Sequence, residues 1–493
     1  MNNVPLPAVR LRPARQLLIF GNGEMGQLGL GTTVTDELAS PKLHAWFESA
    51  IAGGVLGEEE GAGIERIAAG GMHTLVIDEL GRVWSWGVND NGALGRPTVG
   101  VPDPDAPDQI IDYEVLESQP MLVQKLVDEQ FRAVQIAAGD SISIALSAEG
   151  RLRAWGSFRA SDGLLGFDLS TDEPAPQFDP IPLLTLEDEV FVQIACGADH
   201  VLALTQHGTV YAWGNGQQAQ LGRRIIERRK TNALAPERLA LRRIVYIATG
   251  NYNSYAITDK GIVYAWGLNN WRQTGVDPEL GGDEDIVWLP TEVTALSPNV
   301  LGNGRQVVEI NGGEHHTLFL LNDGSVYGCG RYDSSEIGLA DDHPAMLKIA
   351  KNDLADPDTS PSLNSAAMGP FLATPTLIPF PPPPTASDPN PTALPFEVFS
   401  QQAPADPIVH IATGTRHNLA VSRDGHAYAW GVGDVGQLGL GDGVEEQKTP
   451  SRLRTPMLDE RSANSEWMWH IENIAAGGQH CMLLARRVSS NSH

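Results

Sequence analysis

Cysteine is scarce in this chain: Cys196, Cys329 and Cys481 are the only three among 493 residues. Their odd number and wide spacing fit neither a disulfide framework nor a metal-ligand cluster, and point to a reducing compartment. Long apolar runs are missing too. No stretch reaches the roughly 18 residues of a membrane span, and Leu17 to Phe20 is too short for a signal-peptide core. Positive charge is in short supply, with 34 Lys+Arg against 61 Asp+Glu and a formal net charge of -27. So acidic a chain repels phosphate backbones and acidic lipid faces, which disfavours generic nucleic-acid or membrane binding. The expectation is a cytosolic or nuclear protein. Motifs for covalent chemistry are lacking as well: GxSxG, HExxH, CxxC and GxxxxGK[ST] do not occur. We therefore expect no cofactor, no bound metal and no direct small-molecule substrate.

What the chain has in abundance is a repeat. An Ile opens a small-residue run, followed by a Gly step, an apolar strand, a Gly turn, and an aromatic-Gly pair. The opening residues are Ile67, Ile136, Ile194, Ile247, Ile310, Ile411 and Ile474, and the first six each stand 19 residues before Trp86, Trp155, Trp213, Trp266, Cys329 or Trp430. The units start between 53 and 101 residues apart, so a fixed core is separated by variable loops. Apolar, β-branched and aromatic residues around the turn DELG read as hairpin strands, and a proline near each unit's end suits an outer edge strand. Each unit is thus a small antiparallel sheet of about four strands.

The ends settle the arrangement. Leu17 to Gly31 is the second half of a unit and Ile474 to Arg486 the first half, so together they make a seventh. The fold predicted is all-β: a seven-bladed β-propeller whose last blade is closed by N- and C-terminal half-repeats. Residues 1–16 form an N-terminal extension and 17–493 a single propeller.

Three departures from the repeat stand out. From the Gly of the aromatic-Gly pair to the later apolar-Gly pair the spacing is 8 in six units, but 10 from Gly156 to Gly166, so Ser157 to Gly163 is expected to protrude. Asp342 to Pro407 holds 15 of the 34 prolines and reads as an extended loop insertion, dispensable for the fold. Arg223 to Arg243 carries eight basic residues against Glu227 and Glu237, a local reversal of sign that suits an acidic partner. Each also has a plain reading, as a tolerated insertion or a solvated loop.

Six places after each opening Ile stand His73, Ile142, His200, Asn253, His316, His417 and His480. A residue that recurs with the framework is by default a packing and hydrogen-bonding element. One and two places earlier the side chains diverge between units, which marks a rim that can present a binding face. Asp140, Asp199 and His315 are the candidates there.

GGMHT with WSWGVNDNGALGR (70–96), AAGDS with AWGSFR (137–159), GLNNWRQTG (267–275) and GGEHHT (312–317) carry a resemblance that spans Leu17 to Arg486. The chain resembles the regulator of chromosome condensation family, guanine-nucleotide exchange factors for the small GTPase Ran, in a fungal-like form. The resemblance implies that one propeller face binds Ran while the other side and loops engage chromatin in the nucleus. It implies exchange-critical roles for Asp140, Asp199, His315 and His480, and a Ran-binding role for Glu24, a longer acid where relatives commonly have Asp. Ser157, Phe158, Arg159, Ala160, Ser161, Asp162 and Gly163 resemble the family's β-wedge, which pushes against Ran's phosphate-binding region. For histones and the nucleosome it points to Arg223, Arg224, Arg228, Arg229 and Lys230. Relatives commonly carry a basic N-terminal tail, whereas this chain offers Arg10, Arg12 and Arg15 before its first strand. The competing reading is a non-catalytic propeller scaffold that binds chromatin or other proteins and needs neither the wedge nor Asp199. A plant-type ultraviolet-B receptor fits poorly, because Trp86, Trp155, Trp213, Trp266 and Trp430 are framework residues before Gly.

Overall fold

The computed structural model describes the chain except residues 35, 107, 171–172, 184–185, 187, 355–369, 386, 389–390, 393–395, 401–403, 460–466 and 490–493. Among the described residues the strands form seven four-stranded antiparallel sheets and a separate two-stranded hairpin. From the inside outward, the first blade is Ile64–Ala69, His73–Asp78, Val83–Gly87 and Met121–Leu122. The second is Ala133–Ala138, Ile142–Ser147, Leu152–Gly156 and Gln177–Ile181, and the third is Phe191–Cys196, His200–Thr205, Val210–Gly214 and Glu237–Arg238. Three more follow in chain order, opening with Ile244–Thr249, Val307–Gly312 and Ile408–Thr413. The seventh takes its inner pair, Trp467–Ala476 and His480–Ser489, from the end of the chain, and its outer pair, Gln16–Gly21 and Leu38–Leu43, from the start. Gln16 to Gly21 runs antiparallel to Ala485 to His480 in unbroken register, so the two half-repeats close the ring.

The second strand of a blade is sandwiched between its own neighbours and the adjoining blades. His73–Asp78, Ile142–Ser147, His200–Thr205, His316–Leu321 and His417–Ser422 are buried at every position, which is why they read as apolar runs and not as alternations. The recurring tryptophans tie blade to blade. Trp86, Trp155, Trp266 and Trp430 are fully buried, and their indole N–H groups donate to the carbonyls of Gln27, Ala93, Gln220 and Glu336 in the preceding blade at 2.9–3.2 Å. The recurring histidines do the same at the second strand's start. His73, His200, His316, His417 and His480 pair through Nε2 with Ser143, Ser254, Asn418, Cys481 and Thr74 of the next blade at 2.7–3.1 Å. Their burial lowers every one of these imidazoles to about 3 or 4, so they serve as neutral bridges. Opposite His73 in the ladder lies Gly87 at φ 100°, where a Cβ would come within 2.4 Å of the Met72 carbonyl. Glycine is demanded there by close approach as well as by conformation.

Prolines occupy or immediately precede outer strands, at Pro41, Pro120, Pro180, Pro236, Pro290, Pro375 and Pro450. Pro375 belongs to a correction. Phe371–Leu377, inside the insertion read as a dispensable loop over 342–407, is the fourth strand of the fifth blade and pairs with Val326–Arg331. Just after it, Ile378 and Phe380 are buried, and the Phe380 ring meets Tyr428 and Trp430 edge-on at 5.5 and 5.6 Å. The proline density conceals a strand because an outermost strand can forgo a ladder hydrogen bond. Residues 355–369 and the shorter gaps of this insertion lie outside the described part.

Residues 1–15 are tied down across one end of the ring. The Asn2 N–H donates to the Gln206 carbonyl at 2.8 Å and its side-chain amide to the Ile244 carbonyl at 2.9 Å. Arg12 forks onto Glu79 at 2.8 and 3.0 Å, Arg10 lies 3.9 Å from the same carboxylate, and Arg15 meets Glu472 at 2.5 Å. The three arginines ahead of the first strand are therefore engaged internally. No helix among the described residues is long and apolar enough to cross a membrane.

Candidate functional site

The turns from first to second strand and the connections leaving third strands share one end of the ring. Val88, Ser157, Asn215 and Arg331 N–H groups donate to the carbonyls of Met72, Ser141, Asp199 and His315 at 2.7–3.0 Å. The turns also link to one another around the central channel. Gly71 donates to Gly139, Asp140 to Ala198, Ala198 to Asn251, Asn251 to Gly313, Glu314 to Thr415 and Gly478 to Gly70, all between 2.8 and 3.3 Å. The Thr415 hydroxyl closes the gap by donating to the Gly478 carbonyl at 3.2 Å. This backbone circlet holds the side chains of the rim at fixed bearings. Below it lies a channel of about 310 Å³ lined by small residues and main chain, with Asp140 at its mouth. Cys196 also lines it, and burial raises its thiol, so it stays neutral.

Asp140 and Asp199 stand on neighbouring turns of this rim. Asp199 is half-buried and its Oδ1 accepts the Arg159 N–H at 2.7 Å, while burial, with the Asp140 charge adding to it, lifts its carboxyl to about 7. Asp140 is open to solvent yet crowded over the channel, and loss of hydration raises it too, against the pull of Arg159. Arg159 also reaches Asp90 at 3.4 Å, so this guanidinium is set among three carboxylates. Tyr252 and Glu314 complete the acidic quarter, both acting electrostatically on Asp140 or being acted on by it.

Across the mouth the character changes. His315 is half-buried, with Nε2 3.7 Å from Glu314 and its ring 5.8 Å from that of Trp271. The Arg331 guanidinium lies 4.6 Å above the Trp271 ring, a cation–π arrangement. Burial, helped by Arg331 and Arg416, lowers His315. Glu24 is exposed on the seventh blade, its N–H donating to the Asn22 side chain at 2.9 Å.

The protrusion of the second blade is a hairpin of Phe158–Ala160 and Gly163–Gly166. It begins later than the spacing suggested. Ser157 and Phe158 are buried, with Phe158 packed beneath Gly214 of the next blade, and Arg159, Ser161, Asp162 and Leu164 are exposed. The short repeat spacing counts residues and cannot tell a buried hinge from an exposed tip.

The structure does not bring all the sequence candidates together. Asp140, Asp199, His315 and the hairpin share the rim, and Glu24 lies on the seventh blade's connection at the same end. His480 belongs to the buried circle of bridging histidines, 1% exposed and bound to Thr74. The basic loop leaves its third strand on the side of this hairpin, not on the opposite face. Within it Arg223 is half-buried and pairs with Glu237 at 3.3 Å, and Lys230 meets Asp162 of the hairpin at 2.5 Å, while Arg224, Arg228 and Arg229 are exposed. Sequence comparison between units missed Trp271, Arg331, Asp90 and Gln217, because none of them breaks the repeat; only their convergence singles them out.

A closed seven-bladed propeller bearing an acidic rim and a projecting hairpin defines a β-propeller with one fixed face shaped to bind a partner protein. The chain belongs to a particular family of these. The RCC1-like domain matches residues 16–483. Protein pim1 of Schizosaccharomyces pombe is 34% identical over 480 residues, covering 97% of this chain and 75% of pim1. The guanine nucleotide exchange factor SRM1 of Saccharomyces cerevisiae is 33% identical, covering 89% of this chain and 82% of its own. Among solved structures, Prp20p of Saccharomyces cerevisiae, described with its binding properties to Gsp1p and histones, superposes with a TM-score of 0.74 at 30% identity, over 99% of this chain and 94% of Prp20p.

Proposed function

We propose that this chain is a guanine-nucleotide exchange factor for the small GTPase Ran, promoting GDP release and GTP loading on chromatin in the nucleus. The observation that carries the reading is the projecting hairpin fixed beside two carboxylates on one rim. An exchange factor makes no covalent bond. It binds the nucleotide-free GTPase best, and by linkage it weakens nucleotide binding by the same factor with which nucleotide weakens its own. The exposed Arg159 to Gly163 and the rim carboxylates Asp140 and Asp199 compete for the backbone amides, lysine and magnesium site that hold phosphates. His315 borders the same docking area, and Glu24 extends it onto the seventh blade. His480 acts through the blade joint it maintains. The cellular excess of GTP sets the direction of loading. For histones, the exposed Arg224, Arg228 and Arg229 suit the acidic patch of the histone dimer, with Arg223 held back by Glu237.

The test is release of a fluorescent GDP analogue from purified Ran with excess unlabelled nucleotide. Catalytic amounts of the protein are expected to accelerate release, and Asp140→Ala or Asp199→Ala to abolish most of the acceleration. Folded protein without acceleration would return the chain to the scaffold reading.

A further inference from the structure

A two-stranded hairpin standing alone is marginal in water, so a hairpin that must push on a partner needs a brace. Here the brace comes from the neighbouring blade. Asp199 Oδ1 accepts the Arg159 N–H at 2.7 Å and the Asn215 side-chain amide donates to the Arg159 carbonyl at 2.9 Å. These two side chains read the hairpin's outer main chain as a third strand would. One step further out, Gln217 Oε1 accepts the Ser161 N–H at 2.9 Å and its Nε2 donates to the Ser161 hydroxyl at 3.0 Å. At the tip, Lys230 Nζ meets both oxygens of Asp162 at 2.5 Å. The last two contacts are themselves linked: Gln217 Nε2 donates to Glu227 at 3.0 Å, and Glu227 lies 3.6 Å from Lys230. Ser161, Gln217, Glu227, Lys230 and Asp162 thus form a closed polar ring across the gap between two blades.

We propose that Gln217 and Lys230 are positioning residues for the exchange hairpin, and that the basic loop carrying Lys230 works for the wedge as well as for any acidic partner. The inference rests on the exchange reading for its kinetic consequence and on geometry alone for the brace. Arg228 and Arg229 face outward on the short 3-10 segment Glu227–Leu234 while Lys230 of the same segment is turned to Asp162, and Arg224, just before it, is exposed as well. The docking acids Asp140 and Glu24 make no contact with this ring among the described hydrogen bonds, so loosening the hairpin alters the step after docking.

The experiment measures two things on the full chain. Hydrogen exchange reads the protection of the amides of Arg159 and Ser161; nucleotide release from Ran reads kcat and KM separately. Gln217→Ala and Lys230→Ala are expected to lower the protection of Ser161 and to reduce kcat several-fold, with KM within about twofold, the pattern of a lost transition-state contribution. Lys230→Arg, which keeps a cation within reach of Asp162 and leaves the hairpin unchanged, is expected to retain most of both. Unchanged protection in Gln217→Ala and Lys230→Ala overturns the brace. A raised KM at constant kcat overturns the positioning role, making these docking residues. If the parent chain does not accelerate nucleotide release at all, the exchange reading fails, and hairpin protection still decides the brace.

Discussion

Asp199 is pulled in opposite directions: the Arg159 N–H that it accepts favours its charged form, whereas its half-buried seat and the nearby Asp140 charge favour the proton. Burial raises it to about 7, so the folded chain holds that proton more tightly than the unfolded chain. Such a group stabilises the fold fully below the ordinary aspartate range, near pH 4, and the contribution is lost as pH rises through 7. Asp199→Asn keeps an acceptor without the charge. Its thermal midpoint is expected to exceed that of the parent at pH 8, with the gap closing at pH 5, in calorimetry at both values. Exchange should move the other way, with kcat/KM falling at least about tenfold, since truncating one partner of a desolvated charge pair typically costs 2 kcal/mol or more.

The two histidines implied together by the family resemblance separate on burial. His480→Ala removes a buried hydrogen-bond partner of Thr74 and opens space between blades, and should cost roughly 1–3 kcal/mol in urea unfolding. His315→Ala, half-exposed at the rim, should change stability by less than about 0.5 kcal/mol. A larger loss for His315 than for His480 would reverse these roles.

At the scale of elements, the connections between third and fourth strands carry what distinguishes this propeller from a bare repeat. The second blade spends its connection on the hairpin, the third on the basic loop that braces it, and the fifth on a long Pro-rich excursion that still returns to supply its outer strand. That return is testable. Phe380→Ala removes a buried ring set edge-on against Tyr428 and Trp430, and should lower stability by about 3–5 kcal/mol in denaturant unfolding. A shift under about 1 kcal/mol would restore the view of the insertion as dispensable. Blades were legible because their strands repeat a burial pattern; this strand was not, because its sequence, FLATPTL, lies among prolines and its paired residues stand 40 to 50 positions upstream.

For the whole molecule, the formal charge of -27 includes a rim cluster in which Asp90, Asp140, Asp199 and Glu314 lie close enough to perturb one another or Arg159. A field of that sign speeds encounter with a basic partner and is screened over about 8 Å at physiological salt. Raising NaCl from about 0.05 to 0.5 M should therefore lower kcat/KM for exchange several-fold while kcat holds, because steering acts on encounter. A fall in kcat with KM unchanged would place the electrostatic contribution in the release step.

The closed ring of seven blades follows from the chain alone, because the 19-residue spacing and the split seventh unit leave one way to pair every half-repeat. Asp140 and Asp199 were also visible there, as positions where repeated turns diverge and as the family's pattern, whereas Asp90 was not. Tertiary structure decided the rest, since each remaining feature is a contact between blades that no repeat spacing encodes. It put His480 in the buried joint, began the exposed part of the hairpin at Arg159 by sinking Phe158 under Gly214, and turned Lys230 from an external partner to Asp162. Side-chain neighbours across a blade gap are distant in sequence, and only closure of the ring brings them within hydrogen-bonding distance.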